Sequence, residues 1–116
     1  MVNKTLIGVY GTLKRGQSAN YKLDGSKFIA SDKVPGATMY NLGAYPAVIV
    51  DESNNEIHVE VYEVDDNILK VLDQYEGYPD LYGKTTVSTS NGREIIIYTM
   101  DDVDNNYATV IEGGIW

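Results

Sequence analysis

The sequence predicts an α+β domain, a small mixed β-barrel of about six or seven strands with one main helix. Three observations carry this. A chain of 116 residues has enough apolar material for one core, so 1–116 reads as a single domain. Short β-branched or alternating stretches recur between turn signals from Thr5 to Met100. Only Asp66 to Tyr75 places apolar residues at helical spacing. Six or seven strands beside one helix bury their apolar faces most economically in a curved or barrel-like mixed sheet.

The run Thr5 to Tyr10 is short and nearly continuous in apolar character, as a central strand covered on both faces would be. It ends in a loop bracketed by Gly11 and Gly16, where backbone N–H groups can face a ligand without intervening side chains. Strand-like stretches follow around Phe28 to Ala30 and Ala37 to Tyr40, broken by Pro35 and Gly36, with another at Tyr45 to Val50. Asp51 to Asn55 reads as a hairpin connection. In Glu56 to Val64, Ile57, Val59 and Val61 fall on one face while His58 and Glu60 fall on the other, which makes His58 a solvent-side residue.

Ile68, Leu69, Leu72 and Tyr75 define the helix stripe. Asp65 or Asp66 can cap its start, and Gly77 and Pro79 stop it. Leu81 to Thr89 and Arg93 to Met100 flank Asn91-Gly92, a strong hairpin signal. Asp101 to Trp116 has little periodicity and needs tertiary contacts to hold it.

Composition removes whole classes of function. Without cysteine and with one histidine, the chain cannot build disulfides, thiol nucleophiles, iron–sulfur clusters or multi-histidine metal sites. Proton transfer is left to carboxylates, tyrosines and lysines, and ten tyrosines are available. They can line a polar pocket or fill a core with hydroxyls at its surface. A net charge of −8 with scattered basic residues argues against nucleic-acid binding. No apolar run approaches a membrane span, and Met1 to Lys4 leads straight into a strand without a signal-peptide pattern. A cytoplasmic protein without nucleic-acid or membrane partners, monomeric or weakly self-associating, is expected.

Two metal- or phosphate-like patterns fail on inspection. Gly11 to Ser18 lacks the phosphate-facing lysine of a nucleotide loop, with Gln17 in its place. Asp102, Asp104 and Asn106 match the opening of a calcium loop, but Tyr107 and Gly113 occupy the positions that need glycine and glutamate. Asp51, Ser53 and Asn55 fit turn chemistry. No metal and no cofactor are expected.

Glu76 breaks a local rule. At the helix C-terminus the macrodipole disfavours an anion, and Leu72, Tyr75, Tyr78 and Leu81 surround it in sequence. Dipole and burial both raise a carboxyl pKa toward the range useful for general acid–base work. The residues alone leave both a general base and a solvated helix-end carboxylate open.

Val9-Tyr10-Gly11-Thr12-Leu13-Lys14-Arg15-Gly16, Gly43-Ala44-Tyr45-Pro46-Ala47, Val61-Tyr62-Glu63-Val64 and Leu72-Asp73-Gln74-Tyr75-Glu76-Gly77-Tyr78-Pro79 occur in that order. Together they resemble the γ-glutamylcyclotransferase-like family, which includes γ-glutamylamine cyclotransferases and AIG2-like proteins, from about Leu6 to Met100. The resemblance implies a small β-barrel whose Tyr10, Gly11, Thr12 and Leu13 hold the α-carboxylate and amino group of a γ-glutamyl moiety through backbone groups. It implies that Glu76 is the catalytic glutamate, and that Tyr82 and Tyr98 are pocket tyrosines. The implied reaction is attack of the α-amine on the γ-carbonyl, releasing 5-oxoproline and a free amine or amino acid. Many relatives end in a Gly-Asp-Trp-like segment and carry Asn-His after the glycine loop. Here the chain has Gly113-Gly114-Ile115-Trp116 and Asn20-Tyr21, differences that bear on the leaving-group pocket. The expected partner is a small γ-glutamyl compound; a non-catalytic module that keeps the pocket is the alternative.

Overall fold

The computed structural model describes residues 4–104 and 106–116; residues 1–3, on which the reading of the chain's start partly rests, lie outside them. The strands are β1 (Lys4–Val9), β2 (Lys27–Pro35), β3 (Ala37–Asn41), β4 (Pro46–Val50), β5 (Glu56–Asp65), β6 (Gly83–Ser88), β7 (Glu94–Thr99) and β8 (Thr109–Val110). The helix α1 spans Asp66–Glu76. A short 3-10 turn at Asn20–Leu23 belongs to the long connection after β1, which the sequence reading left without structure.

Five strands form one sheet in the order β2-β5-β1-β7-β6, and three form a second in the order β4-β3-β8. β1 is central, as its apolar run predicts, and it pairs antiparallel with β5 and parallel with β7. The period-2 rule assigns the two faces of the large sheet. Ile57, Val59 and Val61 of β5 join Ile95 and Ile97 of β7 against Met39 and Val48 of the small sheet. Tyr62, Val64 and Tyr98 point the other way, into a second cluster with Leu72 of α1 and with Leu13 and Leu23 of the connection. Gly8 keeps the first interface close, because a Cβ there would lie 2.7 Å from Ile95 Cδ1.

The barrel expectation is corrected: among the described residues the ladders form two sheets of five and three strands and do not close. The sheet edges β2 and β6 carry no ladder between them among the described residues, and bonds from the β6–β7 turn join them at one end. Ser90 N–H donates to the Lys33 carbonyl at 2.8 Å. The Asp32 carboxylate accepts from Asn91 Nδ2 at 3.0 Å and from Arg93 at 2.8 Å. Pro35, the last residue of β2, has no N–H with which to continue a ladder.

Asp51 to Asn55 is also corrected. It joins β4 of one sheet to β5 of the other and is not a hairpin turn. The segment folds back on Gly36, whose carbonyl accepts from the N–H groups of both Asp51 and Glu52. The C-terminal segment is held by β8 pairing with β3 and by Ile111 N–H donating to the Met39 carbonyl. Among the described residues no helix is long and apolar enough to cross a membrane.

Candidate active site

The end of β1 and the end of α1 open onto one cavity of about 230 Å³. Its floor is Gly8 to Leu13, and Tyr75, Glu76 and Leu81 line it from the helix side. Tyr82, Tyr98, Tyr45 and Pro46 complete the wall. Every residue that the resemblance nominates therefore borders a single space.

Sequence places Glu76 there in two steps. Asp65 caps α1 by accepting the Ile68 N–H at 2.9 Å. Gly77, in the left-handed region at φ 67°, ends the helix, its own N–H turned back to the Asp73 and Gln74 carbonyls. Leu72, fully buried one turn earlier, fixes the face that turns toward the sheet. Glu76 is half-buried and is the only ionised-type side chain lining the cavity among the described residues. Burial raises its carboxyl to about 7. No described side chain or backbone N–H donates to it to counter that rise.

The loop opposite is rigidified from below. Lys14 N–H donates to the Gly11 carbonyl and Ala19 N–H to the Thr12 carbonyl, both at 3.0 Å, while Asn20 Nδ2 reaches the Leu13 carbonyl at 2.8 Å. The Glu60 carboxylate accepts the Arg15 N–H at 2.8 Å. These bonds use the loop's carbonyls and leave the Gly11, Thr12 and Leu13 N–H groups without an acceptor among the described residues. Gly11 has a steric reason as well, since a Cβ there would sit 2.8 Å from Pro46 Cγ. After this loop the chain enters the four-residue 3-10 turn and not an α-helix.

The tyrosines divide by what their hydroxyls do. Tyr10 donates to the Tyr98 carbonyl at 2.7 Å, Tyr82 to the Pro46 carbonyl at 2.6 Å, and Tyr98 to Asp73 Oδ1 at 2.6 Å. Their rings form the wall while their protons are committed inward. Burial raises all three phenols well above their usual value, and the neighbouring Glu76 adds to each. They are walls and dipoles here, not proton carriers near neutral pH.

Sequence reasoning missed Tyr75, Leu81, Tyr45 and Pro46 as lining residues, and Asp73 as the partner of Tyr98. Tyr45, Pro46, Asp73 and Tyr75 stood inside the segments that carry the resemblance, which was the available signal. His58 is half-buried beside Lys33 and Asn91, away from the cavity. Asp102 and Asp104 accept the backbone N–H groups of Val103 and Asn106 as ordinary turn residues. No described group of three acidic or histidine side chains could hold a metal.

The family profile described as gamma-glutamyl cyclotransferase, AIG2-like, matches residues 7–116. The chain belongs to this family. The AIG2-like chain is 39% identical over 94 residues to the γ-glutamylaminecyclotransferase of Rattus norvegicus, a match covering 70% of this chain and 60% of that one. It is 26% identical over 110 residues to the γ-glutamylcyclotransferase family protein YtfP of Escherichia coli, covering 95% and 94% of the two. The solved mouse AIG2-like structure superposes with a TM-score of 0.79 at 23% identity, over 90% of this chain and 82% of that one, a likeness of fold. The family is one of enzymes, and this AIG2-like chain is counted among them.

Proposed function

We propose that the protein is a γ-glutamyl cyclotransferase acting on a small γ-glutamyl amide, with Glu76 as general acid and base. The observation that carries this is a half-buried carboxyl held near neutrality, alone of its kind in the cavity among the described residues, across from three consecutive N–H groups without acceptors among those residues. Those N–H groups suit the substrate's α-carboxylate, for which backbone donors in a tight loop form a ready anion site. The α-amine is then tethered to its own electrophile, so positioning supplies much of the rate.

In the proposed reaction Glu76 removes a proton from the α-ammonium, the free amine attacks the γ-carbonyl, and the γ-amide C–N bond breaks. Glu76 returns the proton to the departing nitrogen, and the second proton, which the attacking nitrogen sheds as it becomes the lactam N–H, passes the same way, so the amine leaves as an ammonium and Glu76 is again a carboxylate. The products are 5-oxoproline and an amine or amino acid, the outcome of a lyase-like or acyl-transfer cyclisation. The tyrosine rings of Tyr10, Tyr82 and Tyr98 shape the space and keep water out. The same reading includes a cytoplasmic location and a monomeric or weakly associating state.

Incubation with a panel of γ-glutamyl amines and γ-glutamyl amino acids, with detection of 5-oxoproline, tests the reaction and identifies the leaving group. Release by the parent and its loss in Glu76→Gln is the expected result. Binding of the panel without any release would overturn the catalytic reading in favour of a binding module.

A further inference from the structure

Asp73 lies one helical turn before Glu76, on the same face of α1. Two side chains from the sheet grip it. Tyr98 donates to its Oδ1 at 2.6 Å, and the Lys84 ammonium lies 3.1 Å from its Oδ2. Lys84 and Tyr98 are direct cross-strand partners in the β6–β7 ladder, so they leave one face of the hairpin side by side. The lysine is further fixed with its Nζ 4.2 Å from the centre of the Tyr78 ring. Both members of the ion pair are largely sheltered, with 20% and 24% of their side chains exposed.

We propose that Asp73 is the positioning residue for Glu76: it docks the last turn of α1 onto the β6–β7 hairpin and holds the Lys84 ammonium on itself, away from the Glu76 carboxyl. The proposal rests on the reading of Glu76 as general acid and base. Its logic is one of charge placement. A flexible ammonium released beside Glu76 would favour the ionised carboxylate and lower its pKa by about 1 unit or more, which weakens it as a base toward an ammonium. Among the described residues Tyr10, Tyr82 and Tyr98 from the sheet side and Tyr75 from its own helix line the cavity with Glu76 and offer no cation, while Asp73 on the same helix face is an anion. Tyr45 lies across the cavity, and Lys22 is held 5.0 Å above the outer Tyr75 ring. Lys84 is the cation paired with Asp73 one turn from Glu76.

The test follows the Glu76 carboxyl directly by ¹³C NMR titration of glutamate-labelled protein, assigned with Glu76→Gln, and needs no substrate. Asp73→Asn should lower the Glu76 midpoint by about 1 unit or more, and the acid limb of 5-oxoproline release should move down with it. Asp73→Asn combined with Lys84→Met should return the midpoint most of the way to the parental value. An unchanged midpoint in Asp73→Asn, or equal midpoints in the single and double variants, overturns the proposal. Should Asp73→Asn fail to fold, Lys84→Met alone decides. Removal of the ammonium leaves Asp73 as an unpaired anion one turn from Glu76, so the midpoint should rise, and an unchanged midpoint shows that the Asp73–Lys84 pair does not act on Glu76 and overturns the proposal. A parent protein that releases no 5-oxoproline refutes the general-base reading by itself, while the titration still decides the placement of Lys84.

Discussion

The Thr12 hydroxyl and the Tyr75 phenol meet at 2.8 Å across 63 residues of sequence. The bond ties the glycine loop after β1 to the residue immediately before Glu76, so the two most distinctive stretches of the chain are in contact. It is solvent-exposed, and a typical hydrogen bond contributes only about 0.5–1.5 kcal/mol net. Its value is positional: it sets the distance between the loop's N–H groups and the carboxyl across the cavity.

Substitution of Gly11 should weaken ligand binding. A Cβ at this position would press on Pro46, where 2.8 Å to Cγ is closer than real contacts allow, and Pro46 also accepts the Tyr82 hydroxyl. Gly11→Val therefore displaces both loop and wall. Thr12→Ser keeps the hydroxyl that meets Tyr75 and should change affinity far less. Calorimetry with a non-hydrolysable γ-glutamyl analogue measures both, and parental affinity in Gly11→Val would place the site elsewhere.

The legible part of this molecule was its strands and its helix. Apolar runs such as Thr5 to Tyr10 and the alternation of Glu56 to Val64 report burial directly, and the stop at Gly77 reports a left-handed cap. What did not show was which strands share a sheet. Asp51 to Asn55 has the chemistry of a hairpin turn, yet β4 and β5 part into different sheets, because Gly36 captures the connection. The clasp at Asp32 was hidden for the same reason. Its partners Asn91 and Arg93 lie some sixty residues away, and no local pattern announces a pairing at that distance. Of the cavity, Glu76 was visible as a local misfit, whereas Leu81 looks in sequence like an ordinary loop residue.

The Asp32 clasp should matter to stability more than an ion pair at the surface does. Burial pushes this carboxyl up, but hydrogen bonds from Thr89, the Lys33 N–H, Arg93 and Asn91 outweigh it, and the net pKa is lowered. Arg93→Met should cost about 2 kcal/mol, the scale of a lost hydrogen bond to a charged group. A depressed folded pKa stabilises above the unfolded value of about 3.9 and is lost as pH falls through the folded one. The difference between parent and Asp32→Asn in thermal melts should therefore be full at pH 7 and shrink below about pH 4.

Chelation should change nothing. Asp102 and Asp104 each commit one carboxylate oxygen to a neighbouring backbone N–H, and Asp51 does the same with Ser53 while accepting the Thr38 hydroxyl on its other oxygen. EDTA should leave 5-oxoproline release and melting temperature at their starting values. A loss restored by a divalent ion would show that one of these acidic turns binds metal.

Glu76→Gln separates catalysis from folding because its two effects run in opposite directions. The amide keeps shape and removes the proton acceptor, so the cyclisation rate should fall by at least ~10²-fold, the lower end of what positioned proton transfer contributes, while analogue affinity changes little. Stability should move the other way. Burial raises the folded pKa from 4.5 to about 7, and the helix C-terminus also disfavours an anion there. The folded state thus holds its proton more tightly than the unfolded one, so this group favours folding least once pH has risen past about 7. The variant escapes that penalty. It should melt higher than the parent at pH 8, and the gap should close toward pH 4, where Glu76 is neutral in both states. The parent's activity should correspondingly fall on acidification with an apparent midpoint near 7, a limb that Glu76→Gln should lack in its residual rate. A folded Glu76→Gln that released 5-oxoproline at the parental rate would remove Glu76 from the reaction.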